Sequence, residues 1–378
     1  MVTPGVVAAH LRVGSAPSAV VLNAIRVGAP AFREQITGMT GLSAATVNRQ
    51  ITALVESGLV DERPDLLDSR GVGRPKIPLT LDRDRYCVAG LHIGARRTAL
   101  VIADIGGRLL YSHAVRTQEG RDEDGAAAVE RLCRGLAELA GRFSGRQVLW
   151  AGAAVGGVVD PASGTVTHPI LHWSQVPLGE ILCRHLPVPV SVAEHVQAMA
   201  AAELLLDGQI APAGAGLFFY ARETVGMALI LDDEIYQPVH GPGSIAGLPV
   251  APGVLAESPI APLQSVIGTA ARKAAAARLG VPDDAGVLAD ERARVLGEAV
   301  ALMRDVINPD AIIVAGEAFG AHPRGLAPVQ AAFDAASSLD WPLEIVPTKF
   351  GLHVPDSAPV AVALAALYGD PLAVIRDC

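Results

Sequence analysis

The stretch Leu42 to Arg63 reads LSAATVNRQITALVESGLVDER, and it decides how the front of this 378-residue chain is built. Val47, Ile51, Leu54 and Val55 recur at helical spacing, which predicts a helix over 44–57 with these four facing inward. Ser43 stands just ahead of it as an N-cap, and TGLS (40–43) reads as a tight turn. Working outward, Phe32 to Met39 predicts a short helix. Residues 17–28 (PSAVVLNAIRVG) predict another, with Val20, Val21, Ala24 and Ile25 on one face and Gly28 and Pro30 as its stop. Downstream, a strand starts at Leu59 and Val60, polar residues follow from Arg63 to Arg74, and Lys76 to Leu81 reads as the second strand of a hairpin.

A helix, a turn containing glycine and a further helix make the helix-turn-helix arrangement, in which the last helix offers its N-terminal polar residues to the major groove. Here those residues are Ser43, Ala44, Thr46, Asn48, Arg49 and Gln50. Arg49 has the fork geometry for guanine, and Asn48 or Gln50 the paired donor and acceptor for adenine. Which of them meet bases and which meet phosphates is left open. The hairpin loop DSRGVGRPKIP (68–78) carries Arg70, Gly73, Arg74 and Lys76, the makings of a wing along the minor groove. Arg74, between Gly73 and Pro75, is placed to enter where that groove is narrow and its potential most negative. The expected partner is therefore a double-stranded DNA operator.

Charge supports that division of labour. Residues 1–85 hold ten Lys/Arg against eight Asp/Glu, a balance of +2, so the remainder carries −11 of the chain's −9. A body so acidic repels nucleic acid and leaves contact to the small head. The composition, 51% hydrophobic and 18% charged, is that of a soluble globular protein. No apolar run reaches the ~18 residues of a membrane span, and the N-terminus lacks a signal-peptide pattern, so the expected location is cytoplasmic, without a membrane partner. Cys87, Cys133, Cys183 and Cys378 lie far apart, fitting reduced thiols better than a disulfide framework or a metal site.

After Arg85 the pattern changes. YCVAGLHIGARRTALVIADIGGRLLYSHAV predicts three strands, Cys87 to Ile93, Thr98 to Ala103 and Leu109 to Val115. A helix over Ala126 to Ala140 and a buried strand over Gln147 to Ala153 follow. The same order restarts with LFFYARETVGMALILDDEIYQPV from Leu217, then a helix over Glu291 to Ile307 and a strand over Ala311 to Ala315. The repeat predicts a duplicated α/β body with a cleft between its lobes, and a final apolar helix over Ala358 to Tyr368 packed onto the first half.

The head, the GRP wing and the duplicated body together resemble the ROK family (repressor, open reading frame, kinase). The likeness is to its transcriptional-repressor branch, which includes xylose- and N-acetylglucosamine-responsive regulators. It runs over nearly the whole chain, on VAGLHIG, GVVDPASGTVTHPILHWSQVPLGEIL, VAEHVQAMAAAEL and NPDAIIVAGE. The resemblance implies an α/β fold with an N-terminal winged helix-turn-helix and a two-lobed, ribonuclease-H-like (actin/hexokinase-type) body. It also implies a dimer or tetramer, with a sugar or sugar phosphate in the cleft controlling the heads. The expected domains are 1–82 for the head and 83–378 for the body. Lobe one is about 83–190 plus the C-terminal helix 353–376, and lobe two about 191–352.

The family's chemistry does not survive position by position. The acidic residue of its first phosphate motif is His92 here, and imidazole is a poor ligand for Mg²⁺. Its second, glycine-rich phosphate turn is Arg222-Glu223-Thr224-Val225-Gly226, where Gly226 alone remains. Its catalytic Asp is His195, preceded by Glu194 in place of Asn. Its sugar-gripping Glu and zinc-binding His are Leu248 and Ala251, with no cysteine cluster after them, so no zinc is expected. A further sugar-binding Asn is Ile170. Expected, then, are no enzyme activity, no cofactor and no ordinary hexose ligand, since unpaired buried hydroxyls cost ~1–3 kcal/mol each. Two readings of the cleft stand side by side. One is a changed small-molecule effector touched by Glu194, His195, Ser244, Arg222 and His172. The other is no ligand at all, the body serving as a dimerisation platform. Glu194 beside His195 also fits a plain helix N-terminal pair. The function these readings predict is a DNA-binding regulator, in the sense of a repressor of carbohydrate-related genes on an inverted repeat. The alternative is an ATP-dependent sugar kinase with an appended DNA head, which turnover over a panel of hexoses would reveal.

Overall fold

The computed structural model describes residues 5–66, 76–117, 124–207, 214–238 and 243–377. They form two compact units, one of residues 1–209 with 355–378 and one of residues 210–354.

The first unit opens with α1 (Pro17–Gly28), α2 (Arg33–Thr40) and α3 (Ala44–Glu56), followed by the paired strands β1 (Val60–Glu62) and β2 (Leu79–Leu81). The three helices pack on one another and bury Val21, Leu22 and Ile25 of α1, Ile36 of α2 and Val47, Ile51 and Leu54 of α3; Val55 is half-exposed. Gly41, at φ 65°, ends α2 with its N–H on the Thr37 carbonyl at 3.1 Å, a left-handed cap that glycine adopts without strain. Gln35 Oε1 accepts the Phe32 N–H at 2.9 Å and starts the same helix. Strand β2 begins at Leu79 rather than at Lys76, because Pro78 has no N–H to give the ladder. Its first residue exchanges both backbone bonds with Ala31 (3.0 and 2.9 Å), tying the ribbon to the α1–α2 connection.

The body of this unit is built on β3 (Tyr86–Ile93), β4 (Arg97–Asp104), β5 (Leu109–Arg116), β6 (Gln147–Val155) and β10 (Val190–Glu194), ordered β10-β6-β3-β4-β5. The β3–β4 and β4–β5 pairs are antiparallel, and the β3–β6 and β6–β10 pairs parallel. Helix α4 (Gly125–Gly141) and α5 (Leu178–His185) cover one face through Val129, Cys133, Leu136, Ile181 and Leu182. Between β6 and β10 lie β7 (Val158–Asp160), β8 (Thr165–His168) and β9 (Trp173–Val176), a small antiparallel sheet. Helix α6 (His195–Ala202) follows β10 directly.

The second unit repeats the plan. Strands β11 (Ala215–Ala221), β12 (Val225–Leu231), β13 (Glu234–Ile235), β16 (Ala311–Ala315) and β17 (Ile345–Pro347) are ordered β13-β12-β11-β16-β17, again three antiparallel strands and then two parallel ones. Between them come β14 (Pro249–Val250), β15 (Ala261–Pro262), α7 (Leu263–Ile267), α8 (Thr269–Leu279) and α9 (Gly286–Ile307). Helices α10 (Glu317–Gly320) and α11 (Ala327–Ala336) separate β16 from β17. The core gathers Leu217, Phe219, Leu296, Val300, Ile312 and Phe333.

The chain returns to the first unit through α12 (Val354–Gly369) and α13 (Pro371–Asp377). Helix α12 lies against the sheet where two glycines pair in register, Gly90 on β3 and Gly152 on β6. A Cβ on Gly152 would stand 2.2 Å from the Pro359 carbonyl oxygen, and one on Gly90 3.1 Å from the Pro359 ring. The boundary between the halves falls at 209/210, not at 190, because β10 is the fifth strand of the first sheet and carries α6 with it.

One connection has no counterpart in the sequence reading. Residues ahead of α1 add to the open edge of β10: the Val7 N–H donates to the Val190 carbonyl at 2.8 Å and the Val190 N–H to the Gly5 carbonyl at 3.0 Å. Ser191 Oγ donates to the Val7 carbonyl (2.8 Å) while accepting the Trp150 indole N–H (3.0 Å).

Candidate nucleic-acid interface and histidine cluster

The third helix presents the polar residues read from the sequence. Ser43 Oγ accepts the Thr46 N–H at 3.2 Å and lies 3.0 Å from Thr46 Oγ1, so this cap holds the first turn together. Ser43, Ala44, Asn48 and Arg49 are exposed, and Thr46 and Gln50 half-buried. The cations around them divide. Arg33 pairs with Glu62 (2.7 Å), Arg63 with Asp65 (2.6 Å) and Lys76 with Glu34 of α2 (2.6 Å). Arg49 has no such carboxylate among the described residues. The Lys76–Glu34 pair is exposed on both sides, so an incoming phosphate would displace a weak bond. Arg70, Gly73 and Arg74 lie outside the described residues.

A second constellation sits at the carboxyl ends of β3, β6 and β10. His92 is the next-to-last residue of β3, His195 opens α6, and His168 ends β8; all three are buried. The His92 and His195 rings stack at 6.0 Å with 15° between planes. Gly156, just after β6, makes the room: a Cβ there would meet His168 Nε2 at 3.0 Å and the His195 ring at 3.3 Å. His168 Nδ1 accepts the Leu171 N–H at 3.3 Å, which leaves its proton on Nε2. Burial drives the His195 pKa down to about 3, with His92 and His168 adding to the effect, and burial alone drives His168 down to about 4. Neutral imidazoles are thus the stable form throughout the physiological range.

Glu194 acts chiefly on the backbone. Its Oε2 accepts the N–H groups of Val196 (2.8 Å) and Gln197 (3.0 Å), capping α6. Burial lifts its pKa to about 7 against those two bonds. Its other oxygen is 3.6 Å from His195 Nε2, but a neutral imidazole makes this no ion pair. His172 is exposed at φ 56° in the Pro169–His172 turn, and Ser244 is exposed and caps the Ala246 N–H (3.3 Å); Ser244 and Arg222 both belong to the second unit. His168 was missed by the sequence reading, although the inward alternation of Val166 and His168 along β8 carries the signal.

The loops matching the family's phosphate motifs are closed on themselves. The Gly94 N–H donates to the Arg97 carbonyl (3.0 Å), and a Cβ on Gly94 would lie 2.8 Å from the same oxygen. The Arg222 N–H donates to the Thr224 carbonyl (3.0 Å), and Gln264 Oε1 accepts the Val225 N–H (3.3 Å). Among the described residues no group of three His, Cys, Asp or Glu side chains is arranged to hold a metal ion.

Two sheets of the same strand order, each three antiparallel strands followed by two parallel ones, define the class: a mixed α/β fold of the actin and hexokinase kind. The comparisons then give the family. The ROK family pattern matches residues 88–247. A transcriptional regulator of Mycobacterium tuberculosis (strain ATCC 25618 / H37Rv) is 40% identical over 395 residues, spanning 97% of this chain and 89% of the relative. The DNA-binding transcriptional repressor Mlc of Escherichia coli (strain K12) is 23% identical over 47% of this chain and 43% of its own. Among solved structures, a ROK family transcriptional regulator, a homologue of the E. coli protein, superposes with TM-score 0.75 at 19% identity, over 95% of this chain and 98% of its own. A ROK family glucokinase from Streptomyces griseus, in complex with glucose and AMPPNP, superposes with TM-score 0.60 at 20% identity, over 73% and 99%. This chain belongs to the ROK family.

Proposed function

We infer that this ROK-family chain is a sequence-specific DNA-binding transcriptional regulator, acting as a repressor of carbohydrate-related genes. Its first 82 residues are a winged helix-turn-helix head, and as a homodimer or homotetramer it sets one α3 into each half of an inverted-repeat operator. The observation that carries this reading is the exposed first half of α3, with Arg49 lacking an ion-pair partner among the described residues while Arg33, Arg63 and Lys76 of the same head are paired. Asn48, Arg49 and Gln50 read bases; Ser43 and Thr46 hold the helix start against phosphate; Lys76 and the wing arginines follow the backbone. Relatives named as transcriptional regulators over almost the whole chain support the same reading.

The body does no phosphoryl transfer in this reading. In the two phosphate loops the Gly94, Arg222 and Val225 N–H groups are taken up within the fold, and the position of the catalytic acid holds a histidine that stays neutral. The cytoplasm is the place for such a protein, and no helix among the described residues is long and apolar enough to cross a membrane. The test is a footprint on the DNA flanking the gene itself, with Arg49→Ala as the variant. Protection of an inverted repeat, weakened by about 1–3 kcal/mol per lost guanine contact in Arg49→Ala, is expected. Equal affinity for scrambled DNA overturns the reading.

A further inference from the structure

The geometry points to a small-molecule site that the regulator reading does not use, and we propose that it takes a small amphipathic anion, an apolar body bearing one carboxylate. It is a cavity of about 480 Å³ in the first unit, between the edge strand β5 and helix α4. Its size lies in the range of ~300–1,000 Å³ that small-molecule pockets occupy.

The fold leaves the space open for a simple reason. Helix α4 packs over β3 and β4, while the sheet runs one strand further, to β5, whose outer edge pairs with no described strand. Where α4 comes closest to β4 it carries Gly135, whose added Cβ would already be 3.3 Å from Leu100. The walls are Leu100, Val115, Leu132, Leu139 and the ring of Trp173. At the floor, Thr117 Oγ1 donates to the Gly94 carbonyl (2.8 Å), so in the 2.8 Å contact between the two hydroxyls it is Thr98 that donates to Thr117. Both protons are committed, and the floor offers an anion no donor. The apolar end of a ligand belongs there.

The rim is the opposite. Arg116, from the end of β5, Arg131, from α4, and Arg142, at the C-cap of α4, line it with Glu138 as the one carboxylate among the lining residues. Arg116 and Arg142 have no ion-pair partner among the described residues. On a chain of net charge −9 such a group of cations is a local exception. A guanidinium fork binds a carboxylate through two parallel charge-assisted bonds, which sets the polar end of the ligand at the mouth. The pocket lies on the opposite face of the sheet from His92, since Leu91 and Leu100 face α4 whereas the neighbouring pair His92 and Ala99 faces the other side, and its Trp173 wall meets the ring of His168 edge-on at 6.3 Å.

The test uses the full chain, 4-phenylbutyrate as probe and its neutral amide as control, read by tryptophan fluorescence and thermal shift. The acid should bind saturably with the amide about tenfold weaker, as expected for loss of the charge-assisted pair. The double variant Arg116→Gln/Arg142→Gln should bring the acid down to the level of the amide. Val115→Phe, which fills the cavity, should abolish binding of both while the unliganded melting temperature stays within a few degrees. Equal binding of acid and amide, survival of binding in the cavity-filled variant, or no saturable binding at millimolar acid overturns the proposal.

Discussion

His168 and His195 are held neutral by exclusion of water, and this gives the fold a dependence on pH with a definite sign. Their pKa values in the folded chain, about 4 and about 3, lie below the ordinary value of 6.5. Their contribution to stability is therefore complete above pH ~6.5 and lost as pH falls towards 4, where the unfolded chain takes up protons that the folded chain refuses. Glu194 works the other way. Its pKa is raised from 4.5 to about 7, so its contribution is present below pH ~4.5 and fades as pH rises through 7. His168→Gln isolates the first effect: the melting temperature of the variant should fall less between pH 6.5 and 4.5 than that of the parent. Parallel curves would remove His168 as a source. The family motifs made His92, Glu194 and His195 legible in the sequence, since each stands at a position with a defined neighbour. They did not tell that Glu194 caps its own helix, because a cap and a ligand-binding carboxylate look alike until the backbone N–H groups are placed. Nor did they tell which of His168 and His172 is buried.

At the level of elements, the approach of α12 to the first sheet depends on two missing side chains. Gly152→Val would drive a branched side chain into the backbone of Pro359 and Ala363, neither of which can turn aside. Overpacking of this kind costs typically ~1–3 kcal/mol, and more where backbone is struck. Gly141→Ala, at the end of α4 with nothing within 4 Å, should be neutral or raise stability by about 0.5–1 kcal/mol. Urea unfolding of the two variants beside the parent checks both, and equal midpoints for all three would refute the close-packing argument. Most of these elements were legible: the apolar period placed α1, α3 and β16 within a residue of where they lie. The bridge ahead of α1 was not, because GVVAAHLRV (5–13) has no sustained alternation and its partner β10 is some 180 residues away in sequence.

Taken whole, the molecule is a duplication, and the repeat in the sequence announced it. The placing of β10 and α6 was misread, since a strand followed at once by a helix marks either the end of one half or the start of the next, and only pairing decides. A single carboxylate ties the returning helix to the first sheet. Asp356, 1% exposed, takes both guanidinium nitrogens of Arg97 (2.6 and 3.1 Å) and the Ser112 hydroxyl (2.9 Å). Asp356→Asn should cost about 2 kcal/mol, less than the 3–5 of a fully buried pair because Arg97 is a third exposed. A denaturation midpoint equal to that of the parent would show that the Arg97–Asp356 pair adds nothing to the hold on α12. The bridge ahead of α1 has its own consequence at this scale. The three-helix head is not a bead on a tether but an insertion, fastened to the first sheet both before α1, at β10, and after β2, at β3. It is also packed against the rest of the first unit: the Arg26 guanidinium donates to the Leu206 carbonyl at 3.2 Å and lies over the Tyr368 ring, and the Tyr86 hydroxyl donates to the Ser57 carbonyl at 2.8 Å. The head and the first sheet are thus one packed piece, and the direction in which α3 presents its polar residues is set by the sheet rather than by a linker.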